Sequence, residues 1–395
     1  MIENYLAGSI GQSLERIRQL RQIVQGQYRR EYDGLRQVCL MRLDNAQAEL
    51  GRLAKETVVD IALQTPRRIR EFKRIVQQIN VVEGVGAFAL SRVGPDDDFL
   101  NRLITDICSE IRYPLIPPVI SQMSQDYFHI YSDFNLLCLP LIESRFLLHL
   151  PDIYHELCHP FHRMQNSNLP ALEPYHAAYK ASLFAMVAHF RDEIVSAERV
   201  RKPTGKHYQL ELWRTCWVKY WMEELFCDLF GVLTTGPAFV WSHYHLCVER
   251  GGDPFDTPMM SMSTHPADDA RMRAALAMLN ESGFKEDAEL IKAAWRDFID
   301  VMEYTPPPEY RQCYPDALLS VIVSKIKEGV QEIGTATTCP GAQAPVVALL
   351  NAAWQEFWKA PKSYQTWEAA QLGALWKSAI APSDNERKST NFLGG

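Results

Sequence analysis

The chain has no uninterrupted run of 18 apolar residues. The nearest approach, residues 230–248, is broken by Gly231, Gly236, Pro237, His243 and His245, which excludes a membrane-spanning helix there. The start, Met1-Ile2-Glu3-Asn4-Tyr5, lacks the basic and then apolar segments of a signal peptide. The nine cysteines, from Cys39 to Cys339, include no C-x-x-C pair. An odd number of scattered thiols fits a reducing compartment, not a disulfide framework. These absences together predict a soluble, cytoplasmic protein with no membrane span. There is no internal repeat, no P-loop and no glycine motif for a dinucleotide. A net charge of −7 argues against a general nucleic-acid binder. The charge is uneven: residues 1–75 hold 14 basic and 9 acidic side chains, a net of +5, which leaves −12 for the rest. A solvated helical surface is favoured for that basic stretch over a face that touches an acidic partner.

What is present is enough for a substantial core, with 47% hydrophobic residues in 395. The stretch that organises the reading is His155-Glu156-Leu157-Cys158-His159, an H-E-x-x-H sequence. Histidines at i and i+4 share one helix face and can reach one metal ion, and the intervening glutamate can polarise a metal-bound water. A hydrolytic zinc site needs a third protein ligand and an open fourth position. Glu224 and Asp228 form E-x-x-x-D one helical turn apart. Glu224 is the candidate third ligand, and Asp228 the candidate acceptor for the spare N–H of a ligand histidine, His155 first. Glu193, Glu198 and His162 are rivals, ranked lower. The pair Glu249 and Asp253 spans two glycines and precedes Pro254, so it reads as a turn. Pro160, directly after the second histidine, predicts that the motif helix kinks or ends there.

Along the chain, apolar spacing predicts amphipathic helices over residues 6–31, 35–63 (ended by Pro66) and 67–79, with 82–93 a connector. An antiparallel helical hairpin is favoured over a coiled-coil dimerisation arm. A helix near 100–111 precedes a short hairpin formed by 127–131 and 136–142, whose edge could hold an extended peptide. Helices follow over 174–200 and 209–233, with a polar loop at 201–208. A Gly-, Pro- and Met-rich loop over 251–263 is long enough to line a cleft. Ser263-Thr264-His265-Pro266 is read as opening a further helix, with His265 placed to stabilise an oxyanion or simply to sit beside a helix cap. Further helices cover 284–303, 315–333, 345–358 and 365–379. The last dozen residues read as frayed.

His155-Glu156-x-x-His159, Glu224-x-x-x-Asp228 and Ser263-Thr264-His265-Pro266 with Arg271 six residues beyond the histidine resemble gluzincin zinc metallopeptidases, in particular the HtpX and CAAX prenyl protease family. The likeness is confined to short islands between about residues 150 and 275. It implies a mainly α fold with a zincin-like core and a small β-hairpin or sheet edge, flanked by helical regions. The expected division is 1–95, 96–280 (catalytic) and 281–395. It implies Zn2+ held by His155, His159 and Glu224, with Glu156 as general base, Asp228 orienting a ligand, His265 stabilising the transition state and Arg271 as a structural or substrate-facing partner. Unlike many members of that family, this chain has no transmembrane helix, and 65 positions separate His159 from Glu224. The expected activity is hydrolysis of a peptide or protein substrate. The alternatives are a non-enzymatic helical interaction protein with a structural or vestigial zinc site, and a hydrolase of a non-peptide amide. A protein partner or a homodimer through the N-terminal helices is a further expectation.

Overall fold

The computed structural model describes residues 2–57, 61–125, 127–163, 169–199, 204–250 and 252–380. The expected frayed end and part of the polar loop at 201–208 lie outside them. The architecture is mainly helical with one small sheet. The chain divides into two units: residues up to Ile104 with Ile116–Leu141, and Thr105–Leu115 with the residues from Ile142 onward.

In the first unit, α1 (Ile2–Val24) buries Leu6, Ile10, Ile17, Leu20 and Val24, and α2 (Asp33–Lys55) buries Leu35, Cys39, Leu43, Ala46, Leu50 and Leu53. Both sets follow the three-and-four spacing of one helix face. Arg21 of α1 reaches Asp44 and Gln47, while Arg36 donates to the Val24 carbonyl, so the two helices run antiparallel. The third, α3 (Ile61–Val81), runs antiparallel to α2, with Arg68 donating to the Leu53 carbonyl and Arg74 to Glu49. The expected hairpin is therefore part of a three-helix array. Pro66 does not end a helix but lies inside α3; α2 already stops at Lys55, where Glu56 turns extended. As the sixth residue of α3, Pro66 has no N–H to give the carbonyl four residues back, a local cost that the packing of the helix outweighs. The expected connector over 82–93 is instead largely helical, a π turn at Val82–Ala87 followed by α4 (Phe88–Ser91).

Helix α5 (Pro95–Glu110) contributes residues to both units. The strands β1 (Val119–Ser121), β2 (His129–Tyr131) and β3 (Leu136–Cys138) form a mixed sheet in the order β1-β3-β2. β2 and β3 are the expected hairpin, with His129 opposite Cys138; β1 is an unanticipated parallel neighbour of β3. The outer edge of β1 is closed by Asn101, whose side-chain amide donates to the Ile120 carbonyl at 2.8 Å and accepts from the Ile120 N–H at 2.8 Å. That side-chain amide replaces the next strand and removes an open edge.

The second unit comprises the short α6 (Asp152–Glu156) and α7 (His159–Arg163), then α8 (Glu173–Arg199), α9 (Thr204–Cys216), α10 (Met222–Thr235), α11 (Pro237–Arg250), α12 (Asp268–Glu281) and α13 (Lys285–Val301). It closes with α14 (Tyr310–Cys313), α15 (Asp316–Glu332), α16 (Pro345–Lys359) and α17 (Tyr364–Ile380). A π turn, Trp217–Trp221, joins α9 to α10. The sharp passage from α10 to α11 depends on Gly236 at φ +71°, followed by Pro237 at the first position of α11. Among the described residues, no helix is long and apolar enough to cross a membrane. All nine cysteines are free, and only Cys339 is exposed.

Candidate metal centre

The H-E-x-x-H segment is not one regular helix. α6 ends at Glu156, Leu157 and Cys158 form a turn, and α7 begins at His159. The break thus falls between the histidines and not after the second. Pro160 has no N–H to give the Glu156 carbonyl, and the path tightens to i→i−3 bonds, Cys158 N–H to His155 O at 3.0 Å and Phe161 N–H to Cys158 O at 2.9 Å. The imidazoles still converge, with ring centroids 5.0 Å apart at 73°. Glu156 between them is buried.

α10 supplies the facing carboxylates. It follows a π turn, a feature that re-aims the side chains after it and recurs at functional sites. His155 Nδ1–H donates to Asp228 Oδ1 at 2.9 Å, and its Nε2 faces Glu224 Oε2 at 3.4 Å. Two ligand atoms each about 2.0–2.1 Å from a tetrahedral ion stand about 3.3 Å apart, so His155 and Glu224 are spaced as two ligands of one ion. His159 Nδ1–H donates to Glu223 Oε1 at 3.0 Å, which likewise leaves its Nε2 as the metal-facing nitrogen. Donor atoms of His155, His159 and Cys227 all lie within 4.8 Å of one another. Behind His155, the Phe239 ring is parallel to the imidazole at 6.4 Å and 5°. Gly231 makes room for that ring; a Cβ there would meet it at 2.6 Å.

Arg271, from α12, clamps Asp228 with two hydrogen bonds of 2.7 Å, Nε to Oδ2 and Nη2 to Oδ1. Asp228 has 3% side-chain exposure and Arg271 12%, so a single planar fork neutralises a carboxylate that burial alone would keep protonated. Burial raises the Asp228 pKa, but Arg271 and then His155 overcome it and hold the carboxyl far below its usual range. Burial likewise opposes ionisation of Glu224, yet while His155 is protonated on both nitrogens its contact, with the charges of His155, His159 and His265, brings Glu224 down to about 2. Glu156, Glu223, Glu224 and Asp228 lie around the two imidazoles together with Arg271, a charge balance that favours a bound positive ion.

His265 is exposed and reaches the same cluster, with Nε2 3.7 Å from Glu224 Oε2 and Nδ1 3.0 Å from the Thr264 hydroxyl. It does not open a helix. α12 begins only at Asp268, and 263–267 belong to the preceding loop. That loop is held by indole N–H groups from one face of the α9–α10 path: Trp213 to the Pro258 carbonyl at 2.8 Å and Trp221 to the Ser263 carbonyl at 3.0 Å.

The rivals have other partners. Glu193 accepts from Gln312, and Glu198 pairs at the surface with His207 at 3.4 Å. His162 is buried and meets the Tyr175 hydroxyl, which also contacts Cys158 Sγ at 3.0 Å. Sequence reasoning missed Glu223 and Cys227, although a second ligand histidine also needs an acceptor, and Glu223 directly precedes Glu224 in sequence. Among the described residues, three further groups of His, Cys, Asp and Glu have geometry able to hold a metal ion: Cys158, His162 and Cys227; His149, His245 and Glu249; and His243, Cys247 and Asp268. Compared with known proteins, the chain matches no family model, no curated protein and no solved structure.

Proposed function

We propose that the chain is a zinc-dependent metallopeptidase of the gluzincin type, with a zincin-like core around α6, α7 and α10. The observation that carries the reading is the pair of carboxylate–histidine contacts, Asp228 on His155 and Glu223 on His159, each of which takes Nδ1 and leaves Nε2 for a metal. His155, His159 and Glu224 would hold the ion. The donor set, two imidazoles and a carboxylate backed by an acidic second layer, suits zinc. The chemistry a bound zinc supplies at such a donor set is Lewis-acid polarisation of the scissile carbonyl and a lowered pKa for water. Glu156 takes a proton from the attacking water and returns it to the leaving amine. His265, at the exposed rim, hydrogen-bonds the developing oxyanion. Asp228, locked by Arg271, holds His155 in one tautomer. The substrate is a peptide or protein segment.

One observation favours a second reading. Cys227 offers a sulfur donor beside both histidines, and a His2Cys set with Cys158 adjacent would suit a structural zinc in a non-enzymatic interaction protein.

Elemental analysis of the purified protein and four variants separates the two. The first reading expects about one zinc lost in His155→Ala and Glu224→Ala, zinc retained in Cys227→Ser, and zinc retained with peptide hydrolysis abolished in Glu156→Gln. Zinc lost in Cys227→Ser but kept in Glu224→Ala overturns it in favour of the structural site.

A further inference from the structure

Six residues before His155, the chain carries His149, and its surroundings repeat the logic of the first site with different residues. His149 Nδ1–H donates to Glu143 Oε2 at 2.7 Å, and Glu143 is itself buried. That contact sets the tautomer and leaves Nε2 of His149 as the free donor. His245 and Glu249 stand one turn apart on α11, with His245 Nε2 3.2 Å from Glu249 Oε1. One donor atom each from His149, His245 and Glu249 lies within 4.8 Å of the others. The two imidazoles are stacked at 5.2 Å and 29°. Phe146 stacks on the outer side of His149 at 5.6 Å, and Trp354 meets His245 edge-on at 5.9 Å. Both rings are therefore held between aromatic walls in fixed orientations.

We propose that His149, His245 and Glu249 form a second metal site, solvent-accessible, for a divalent first-row transition ion of the zinc class, with Glu143 orienting His149. Two imidazole nitrogens and one carboxylate oxygen select zinc, cobalt, nickel or copper over magnesium or calcium, which require mainly oxygen ligands. Glu143 and Glu249 lie near both histidines and Asp152 near His149, and Asp152 is tied to the Ser242 hydroxyl at 3.0 Å. Carboxylates beside two imidazoles supply negative charge that a divalent cation would neutralise. Exposure is graded, from 20% for the His149 side chain and 26% for His245 to 54% for Glu249, so an ion would have an entry path from solvent. Binding would tie the 143–149 segment, which leads into α6, to α11. The site does not depend on the hydrolase reading, because it shares no residue with that centre.

The test is metal titration of the full-length protein after chelator stripping, with Co2+ as probe, read by bound equivalents and by visible absorption. Metal bound at other sites cancels in the difference between wild type and variants. Wild type is expected to bind one equivalent more than His245→Ala. Glu249→Gln and Glu143→Gln are expected to weaken that equivalent at least tenfold, and Zn2+ to raise the melting temperature of wild type more than that of His245→Ala. His207→Ala, a surface histidine, should behave as wild type. Glu249 is exposed, so its variant reports binding even if His149 or His245 variants fold poorly. Equal stoichiometry and affinity within twofold in wild type, His245→Ala and Glu249→Gln would overturn the proposal, as would a wild-type affinity for this equivalent weaker than millimolar.

Discussion

Arg68 and Asp97, buried in the first unit, tie down backbone groups: Arg68 donates to the Leu53 carbonyl as well as pairing with Glu3, and Asp97 accepts from the Gly94 and Gln122 N–H groups. Asp228 and Arg271, buried in the second, end on each other and on an imidazole. In the first pattern a buried charge satisfies the end of a helix or the start of a loop and so helps close the fold. In the second it spends a buried ion pair on the orientation of one histidine, an arrangement that contributes little to stability relative to apolar packing. Perturbed, paired groups of that kind are the marks of a site. The first unit has its exposed ion pairs along the helix surfaces, as between Arg21 and Asp44 or Arg74 and Glu49. The second collects buried histidines and carboxylates around α6, α10, α11 and α12.

The contrast can be broken or sharpened by substitution. The largest effect is expected from Arg271→Ala, which strands the Asp228 charge; denaturant melts should show a loss of about 3–5 kcal/mol. A loss below about 1 kcal/mol would mean that Asp228 is not held by this clamp. In the first unit, Leu43→Ala, at a side chain with no exposure, should cost roughly 3 kcal/mol through its cavity while leaving metal content unchanged. Loss of metal in that variant would break the separation between packing and site. Glu223→Gln should leave stability nearly constant and weaken zinc binding by about 10–100-fold, measured by competition with a chromogenic chelator. The smallest effect belongs to Arg21→Ala, whose partner Asp44 is 61% exposed; a change of about 0–1 kcal/mol is expected, shrinking in high salt.

Helix spacing was readable because local periodicity creates it. The buried stripe of α2, from Leu35 through Leu43 to Leu53, follows its own sequence pattern, and so do α13, α15, α16 and α17, within a residue or two of expectation. Where breakers act against tertiary packing, local rules misplaced the boundaries. Pro66 sits inside α3, and Pro160 displaces the irregularity upstream to Leu157 and Cys158. Strand β1 was missed because three residues carry too little pattern, and its pairing comes from β3 and from Asn101.

The sequence by itself determined that Glu224 and Asp228 can share a helix face, as they do on α10. That is a consequence of 3.6 residues per turn and needs nothing beyond the chain's own geometry. Only the tertiary structure decided which faces meet. Asp228 approaches His155 from 73 positions away and Arg271 approaches Asp228 from 43. Glu223 turns to His159 while its neighbour Glu224 turns to His155, and His149 comes to rest against His245. Such meetings depend on how whole helices pack, and packing sums many weak contacts over residues far apart in the chain, which no short stretch of sequence encodes.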